Sequence, residues 1–412
     1  MEKFTLDNGI NAVINYNKNT PRTAIVLYAG INSEEKVTGL HYLMTQMLFQ
    51  GTTNRTSEEL VSEMDENAID ISVEKKADYI RFKLYCLNED IEHGLEILQD
   101  IIENSTFDDY EKEIIKIKGE FESDLDSAKI QAQDNYYRTI FENHPYGTGR
   151  KEIMEAISSV TKEDLVSAFN EIKYQAKKNI SVAGDTDVNN LKILLQKHFG
   201  NLKITDLQDK RKIVNELNAN KVSVIEKEDA NQAQIFKGWV LPSVYSEDYP
   251  AFVLLNTLLG ASGLSSRLFL ELREKQGLAY TVRSVYDPYV LGGNFFVYIA
   301  TEPKNIKVSL EGFEKEINKV MNELIESEEL ENAKNNAIGK RQFYRETNLM
   351  EASLDGYYEF IGLGSDFEET LIENIKLLSS EKLLETANKY FSKNNALSVL
   401  APKKYLEESG LI

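Results

Sequence analysis

Four histidines limit the metal chemistry open to this chain: His41, His93, His144 and His198. A helical zinc site needs two imidazoles one turn apart on one face, and no two of these lie within helical reach of each other. The i+4 neighbour of His41 is Thr45, so His41 reads as a structural residue. Cys86 is the single cysteine, which rules out an intrachain disulfide. No phosphate-cradling Gly-x-x-x-x-Gly-Lys-Ser/Thr loop occurs. The pair with chemical potential is Arg273 and Tyr280. Arg273 lies in the last turn of an amphipathic segment in which Leu268, Phe269 and Leu272 share a face, Ser265 or Ser266 is suited to the N-cap, and Gly277 ends the helix. Tyr280 then opens the strand-like run Leu278-Ala279-Tyr280-Thr281-Val282. Both side chains can point at one spot where helix and strand meet, and there they would stabilise an oxyanion developing on a peptide carbonyl. The same residues also fit a structural role, with Arg273 offsetting the helix dipole and Tyr280 in the core.

The elements that would position these residues follow from periodicity and turn chemistry. Asp7-Asn8-Gly9 is a hairpin turn between Phe4–Leu6 and Ile10–Tyr16. A strand is expected at about Arg22–Gly30. A helix then runs through Gly39-Leu40-His41-Tyr42-Leu43-Met44-Thr45-Gln46 to Gly51. Thr56 and Glu59 have capping-box spacing for a helix to about Asn67. Strands are expected at Ala68–Val73 and Tyr79–Leu87, the latter alternating through Ile80, Phe82, Leu84 and Cys86. A helix from about Glu89 to Glu103 places Ile91, Leu95, Leu98 and Ile102 on one stripe. A single long helix is expected over about Asp108–Asn143, then a loop at His144-Pro145-Tyr146-Gly147. Thr161 caps the next helix, Ile180–Ala183 is a buried strand, and Val188–Phe199 is helical.

The second half repeats this plan. Ala24–Gly30 matches Ala233–Trp239, the helix after it matches Ala251–Leu259, and Thr161-Lys162-Glu163-Asp164-Leu165 matches Ser379-Ser380-Glu381-Lys382-Leu383. The offset of roughly 210 to 218 residues marks a duplicated domain rather than a solenoid. Clustered strands and helices favour an α+β class, each domain a mainly antiparallel sheet packed with helices. The expected limits are an N-terminal domain over 1–203, a charged linker over 204–219 and a C-terminal domain over 220–412.

With 412 residues, 42% hydrophobic, 7 prolines and a formal net charge of −20, the composition is globular, and the charge argues against nucleic acid, whose phosphates it would repel. No apolar run approaches the ~20 residues of a membrane span. The N-terminus lacks a signal-peptide core, so a cytoplasmic location is expected.

Several of these stretches together resemble the pitrilysin/insulinase family of zinc peptidases. The run Met47-Leu48-Phe49-Gln50-Gly51-Thr52 is similar to the tail that follows the family's H-x-x-E-H helix. Leu6-Asp7-Asn8-Gly9, His144-Pro145-Tyr146-Gly147, Ala183-Gly184-Asp185 and, most specifically, Leu264 through Tyr280 resemble further family segments. Counted back from the tail, the positions of the family's first His, Glu and second His hold Tyr42, Thr45 and Gln46. The resemblance implies no metal in this chain. Glu120 falls near the family's third ligand and, without the histidines, would hold metal only weakly. The resemblance implies that Arg273 and Tyr280 reach a scissile peptide, and that the loop Gly260-Ala261-Ser262-Gly263 is either a mobile peptide contact or a simple helix-to-helix turn. It further implies a heterodimer: a homologous partner with an intact H-x-x-E-H carries the zinc and general base, and this chain binds peptide and completes the site. The competing expectation is a non-catalytic structural or core subunit, or a peptide-binding protein without a peptidase role. A homodimer active through unusual ligands is disfavoured by the scattered histidines.

Overall fold

The computed structural model describes residues 1–18, 20–202 and 209–412. These form two compact units. The first holds a six-stranded sheet built from β1 (Glu2–Thr5), β2 (Asn11–Tyr16), β3 (Arg22–Gly30), β4 (Asp70–Lys75), β5 (Tyr79–Leu87) and β6 (Lys178–Gly184), in the order β1-β2-β6-β3-β5-β4. The second holds β7 (Lys221–Glu226), β8 (Ala233–Leu241), β9 (Ala279–Tyr289), β10 (Gly292–Thr301) and β11 (Asn395–Ala401), in the order β7-β11-β8-β10-β9. After β1 the two orders are the same, element for element. In each, one parallel pair (β2 with β6, β7 with β11) joins an otherwise antiparallel sheet. This is the duplicated α+β architecture that the internal repeat implies.

Local sequence explains the elements that flank the site. Gly9 takes φ 90° at the first hairpin, a conformation that costs glycine little. Helix α1 (Leu40–Met47) buries Leu40, Leu43, Met44 and Met47. Helix α2 (Ser57–Glu66) starts with the full capping box: Thr56 Oγ1 accepts from the Glu59 N–H at 3.2 Å, and the Glu59 carboxylate accepts from the Thr56 N–H at 2.8 Å. Helix α3 (Ile91–Asn104) buries the expected stripe.

The expected long helix over Asp108–Asn143 is instead two helices, α4 (Tyr110–Leu125) and α5 (Ala128–Ile140). Short-range backbone bonds from Asp126 to Ser123 and from Ser127 to Asp124 make the break. The compact units are therefore not the contiguous halves expected from the sequence. Residues 120–151, including α5, belong to the second unit, and residues 342–368, including the helix Asn348–Ile361, belong to the first. Each sheet is covered on one face by helices of its own half and on the other by a helix from the opposite half. That is why β3 and β10 are buried along nearly their whole length and read as continuous apolar runs. The expected linker over 204–219 begins on residues outside those described. Within it, Arg211 ends the first unit, its Nη1 donating to Asp78 and to the Ala77 carbonyl, both at 3.1 Å. Lys212 begins the second unit.

Polar ties fix both exchanged helices. On the first sheet, Tyr28 donates to the Ser353 carbonyl at 2.6 Å, Asn179 donates to that of Gly356 at 2.9 Å, and Asn15 donates to the buried Asp355. On the second, Tyr136 donates to Asn294 at 3.0 Å and Tyr137 to Asp287 at 2.8 Å. Among the described residues, no helix is long and apolar enough to cross a membrane.

Candidate functional site

Arg273 and Tyr280 meet at one corner of the second unit. The segment Phe269–Lys275 is π-helical. It closes on bonds from the Gly277 N–H to the Arg273 carbonyl at 3.0 Å and from the Leu278 N–H to that of Leu272 at 2.9 Å, with Gly277 at φ 64°. Gly277 thus ends the helix as its position implies. The tight return brings Tyr280, at the start of β9, back over the last helical turn. The Arg273 guanidinium lies 4.8 Å from the Tyr280 ring and 4.7 Å from the Phe269 ring, a stack that holds the charge in place. Its Nη1 donates to the Tyr280 carbonyl at 2.8 Å. Tyr280 itself is 80% exposed, which removes the expectation that it is a core residue. The corner presents a cation and a phenol side by side to solvent, the arrangement that can donate to an oxyanion. Phe269 is the member that sequence reasoning missed. Its signal was the i to i+4 spacing to Arg273, which places both on one helix face.

Two details upstream differ from expectation. Neither Ser265 nor Ser266 caps the helix: Ser266 Oγ donates to the Gly263 carbonyl at 2.8 Å, and Ser265 Oγ lies 3.3 Å from Ser262 Oγ. Gly260 belongs to a second π-helical turn, Thr257–Ala261, packed onto β9. A Cβ at Gly260 would come within 2.0 Å of the Ser284 backbone nitrogen, so this glycine serves a close approach between helix and strand.

In the first unit, the three positions on α1 differ in burial. Thr45 is 2% exposed and its Oγ1 donates to the Tyr42 carbonyl at 2.8 Å. Gln46 and Tyr42 are half-buried. His41 is buried, with Nδ1 3.2 Å from Glu35 Oε1. Glu35 also accepts from the N–H groups of Gly39 at 2.7 Å and His41 at 3.3 Å. Burial would raise the Glu35 carboxyl, but contacts with His41, Lys75 and the Gly39 N–H outweigh it and hold the pKa at about 2.

Glu120 is exposed. The buried carboxylate of α4 is Glu113, 3.5 Å from Gln50 Nε2 and 3.1 Å from Lys116 Nζ. The other histidines are engaged separately. His93 lies 3.3 Å from Glu63 and His144 is 2.8 Å from the Lys212 carbonyl. His198 is 2.7 Å from Gln99, and burial holds its ring below the usual histidine range. Among the described residues no group of three His, Cys, Asp or Glu could hold a metal ion. A hydroxyl, an amide and a phenol are not a zinc donor set, so the residues present do not fit that metal.

Comparisons with known proteins give the family and the fold. Residues 12–152 match the insulinase (peptidase family M16) model, and residues 159–337 match the model described as peptidase M16 inactive domain. The chain is 25% identical over 412 residues to a Bacillus subtilis protein named uncharacterized zinc protease YmxG, covering 98% of each chain. It is 28% identical over 385 residues to an uncharacterized zinc protease of Rickettsia felis, covering 90% of this chain and 89% of that protein. Among solved structures, a peptidase M16 inactive domain from Pseudomonas fluorescens superposes with a TM-score of 0.87 at 19% identity, covering 98% of both chains. A protease from Helicobacter pylori gives 0.88 at 20% identity, covering 97% of this chain and 99% of that one. The chain belongs to the insulinase (M16) peptidase family, as a member that lacks the zinc motif.

Proposed function

We propose that this chain is the zinc-free subunit of a heterodimeric metallopeptidase, in which it binds the peptide and supplies Arg273 and Tyr280 to complete a partner's active site. The observation that carries this reading is the asymmetry between the two units. On α1, Thr45 is buried and bonds within its own helix, while Arg273 is stacked beside an 80% exposed Tyr280. In this reading the partner is a homologous chain with an intact H-x-x-E-H, and it brings zinc and the general base. Arg273 and Tyr280 donate to the carbonyl oxygen of the bound peptide as charge builds on it. No step involves nucleic acid or a membrane, and the setting is the cytoplasm.

A second reading has one observation in its favour. Arg273 already bonds the Tyr280 carbonyl, which a non-catalytic core subunit would need only to fasten the start of β9. Cleavage of a mixed peptide library separates the two. This chain alone, a zinc-bearing relative alone and the two together should give activity only, or far more strongly, in the mixture. If the relative is fully active alone and unchanged by this chain, the structural-subunit reading stands.

A further inference from the structure

The first unit carries a groove that the Arg273–Tyr280 corner leaves unused. It runs along the face of β5 opposite the buried Ile80, Phe82 and Leu84, beside the exchanged helix Asn348–Ile361. Its volume is about 400 Å³ and it opens broadly to solvent. Its walls include Tyr79, Tyr344, Met350 and Tyr357, and the rings of Tyr79 and Tyr357 are 5.7 Å apart. Met350 is 43% exposed and Tyr344 48%, and the neighbouring Phe343 is 65% exposed. Aromatic and methionine side chains are enriched at the centres of binding surfaces, where they offer area and adaptable packing.

The floor is cationic. Arg81 and Lys83 line it, and one carboxylate, Glu74, serves three cations: Lys83 at 2.5 Å, Arg81 at 2.6 Å and Lys76 at 3.4 Å. Of these cations Arg81 and Lys83 line the groove, so one positive charge is left over on its floor, in a chain whose net charge is −20. The Nε of Arg81 is buried and has no hydrogen-bond partner among the described residues. A small molecule normally has most of its surface enclosed by its pocket; a half-open trough suits a side chain presented by a longer chain. The charge selects an acidic neighbour for that side chain.

We propose that this groove is a docking site for an extended peptide segment carrying a large apolar side chain next to an acidic one. The apolar side chain packs among Tyr79, Met350 and Tyr357, and the carboxylate meets Arg81 and Lys83. The proposal deepens the peptide-binding half of the function above and rests on it, but it involves neither Arg273, Tyr280 nor a partner chain.

The test is direct binding to the full chain alone, by fluorescence anisotropy of a labelled peptide Gly-Ser-Glu-Phe-Glu-Ser-Gly. Peptides with Phe replaced by Ser, or with both Glu replaced by Lys, should bind about tenfold more weakly or less. Met350→Glu, a change at an exposed position, and Lys83→Met should each weaken the parent peptide about tenfold. Leu377→Glu, at an exposed position of the second unit, should leave it unchanged. Added salt should weaken binding by screening the floor. Absence of binding, equal binding of the three peptides, or unaltered binding by both groove variants overturns the proposal. Because no partner is present, these outcomes are separate from the cleavage experiment: a mixture that cleaves while the groove binds nothing leaves the split-site reading standing without this site.

Discussion

Helix α1 in the first unit and the Phe269–Tyr280 corner in the second are the two places where family-like sequence meets a position capable of chemistry, and they have gone opposite ways. Around α1 the buried polar side chains are Thr45 and His41. Thr45 bonds its own helix, and Glu35 collects two backbone N–H groups and the His41 ring. At the corner, tight backbone closure holds a guanidinium between two rings and leaves Tyr280 in water. Buried, satisfied polar groups contribute to stability, since orphaning any one of them would cost about 1–3 kcal/mol. An exposed stack contributes about 1 kcal/mol at most. Changes at α1 should therefore register in stability, and changes at the corner in whatever the chain does with a ligand.

The largest effect would come from reversing the α1 side. Tyr42→His, Thr45→Glu and Gln46→His together place two imidazoles one turn apart, and zinc should bind at about micromolar affinity, or about −8 kcal/mol. The variant should melt at higher temperature with zinc than without. A triple variant blind to zinc by calorimetry would mean that either the register of this helix against the family motif or the assignment of Glu120 as third ligand is wrong. Next in size is Arg273→Ala, which should lower the activity of the two-chain mixture by about 10²–10³-fold, the scale of losing one oxyanion donor. Its effect on the denaturation midpoint should be small, because the stack is exposed. A rate near wild type would strip Arg273 of that role.

On the α1 side, Glu35 sets the third effect. Its carboxyl is held at about 2, against 4.5 in an unfolded chain. A depressed pKa stabilises the fold above the unfolded value and loses that contribution as pH falls from 4.5 towards 2. The shift corresponds to about 3 kcal/mol at neutral pH. Glu35→Gln should cost about this much in chemical denaturation at pH 7 and much less at pH 2. An equal cost at both would show that shape rather than charge holds the loop to α1.

Asp355 runs the other way. Burial raises its carboxyl from 3.8 to about 6, and the Arg345 guanidinium, 2.7 Å away, only partly offsets this. Its contribution is fully present below 3.8 and is lost as pH rises through 6, a change of about 2–3 kcal/mol. Asp355→Asn should flatten the stability profile between pH 4 and 7, read as the slope of the denaturation midpoint. A wild-type slope in the variant would place the titration elsewhere. Asp287, which holds the other exchanged helix through Tyr137, is likewise raised by burial, so both sheets fasten their borrowed helix with a carboxyl whose pKa burial raises.

What the sequence could reveal depended on how local the cause was. The Asn8-Gly9 turn, the capping boxes at Thr56 and Thr161, the strand Arg22–Gly30 and the helix Val188–Phe199 are set by neighbours in sequence, and their bounds lie where periodicity and capping put them. The helix exchange was hidden because the break at Asp126–Ser127 carries no Pro or Gly. The helix continues polar and charged on both sides, and only the tyrosines Tyr136 and Tyr137 signal a new burial environment. At the candidate site, the family resemblance pointed to Arg273 and Tyr280, and Gly277 was legible as a helix stop. The role of Gly260 depends on β9, more than twenty residues further along the chain, a distance at which pattern carries no information about approach.

The smallest effects test whether the two units are equally well finished locally. Thr56 and Ser379 both accept an N–H from the third residue of their helices, at 3.2 Å in each case. Only at Thr56 does a carboxylate, Glu59, return to the cap N–H, at 2.8 Å, as well as to the hydroxyl; at Ser379 the hydroxyl alone meets a carboxylate, that of Glu381. Substituting a cap by Ala costs about 1 kcal/mol, and a reciprocal box orphans a second partner as well. Thr56→Ala should therefore lower the stability of its unit by about 1–1.5 kcal/mol and Ser379→Ala by about 0.5–1 kcal/mol. Amide hydrogen exchange would locate each loss in the first turn of its own helix. If Ser379→Ala proved the costlier, the hydroxyl alone would be carrying the second unit's helix start, and the finer local finish assigned to the α1 unit would be reversed.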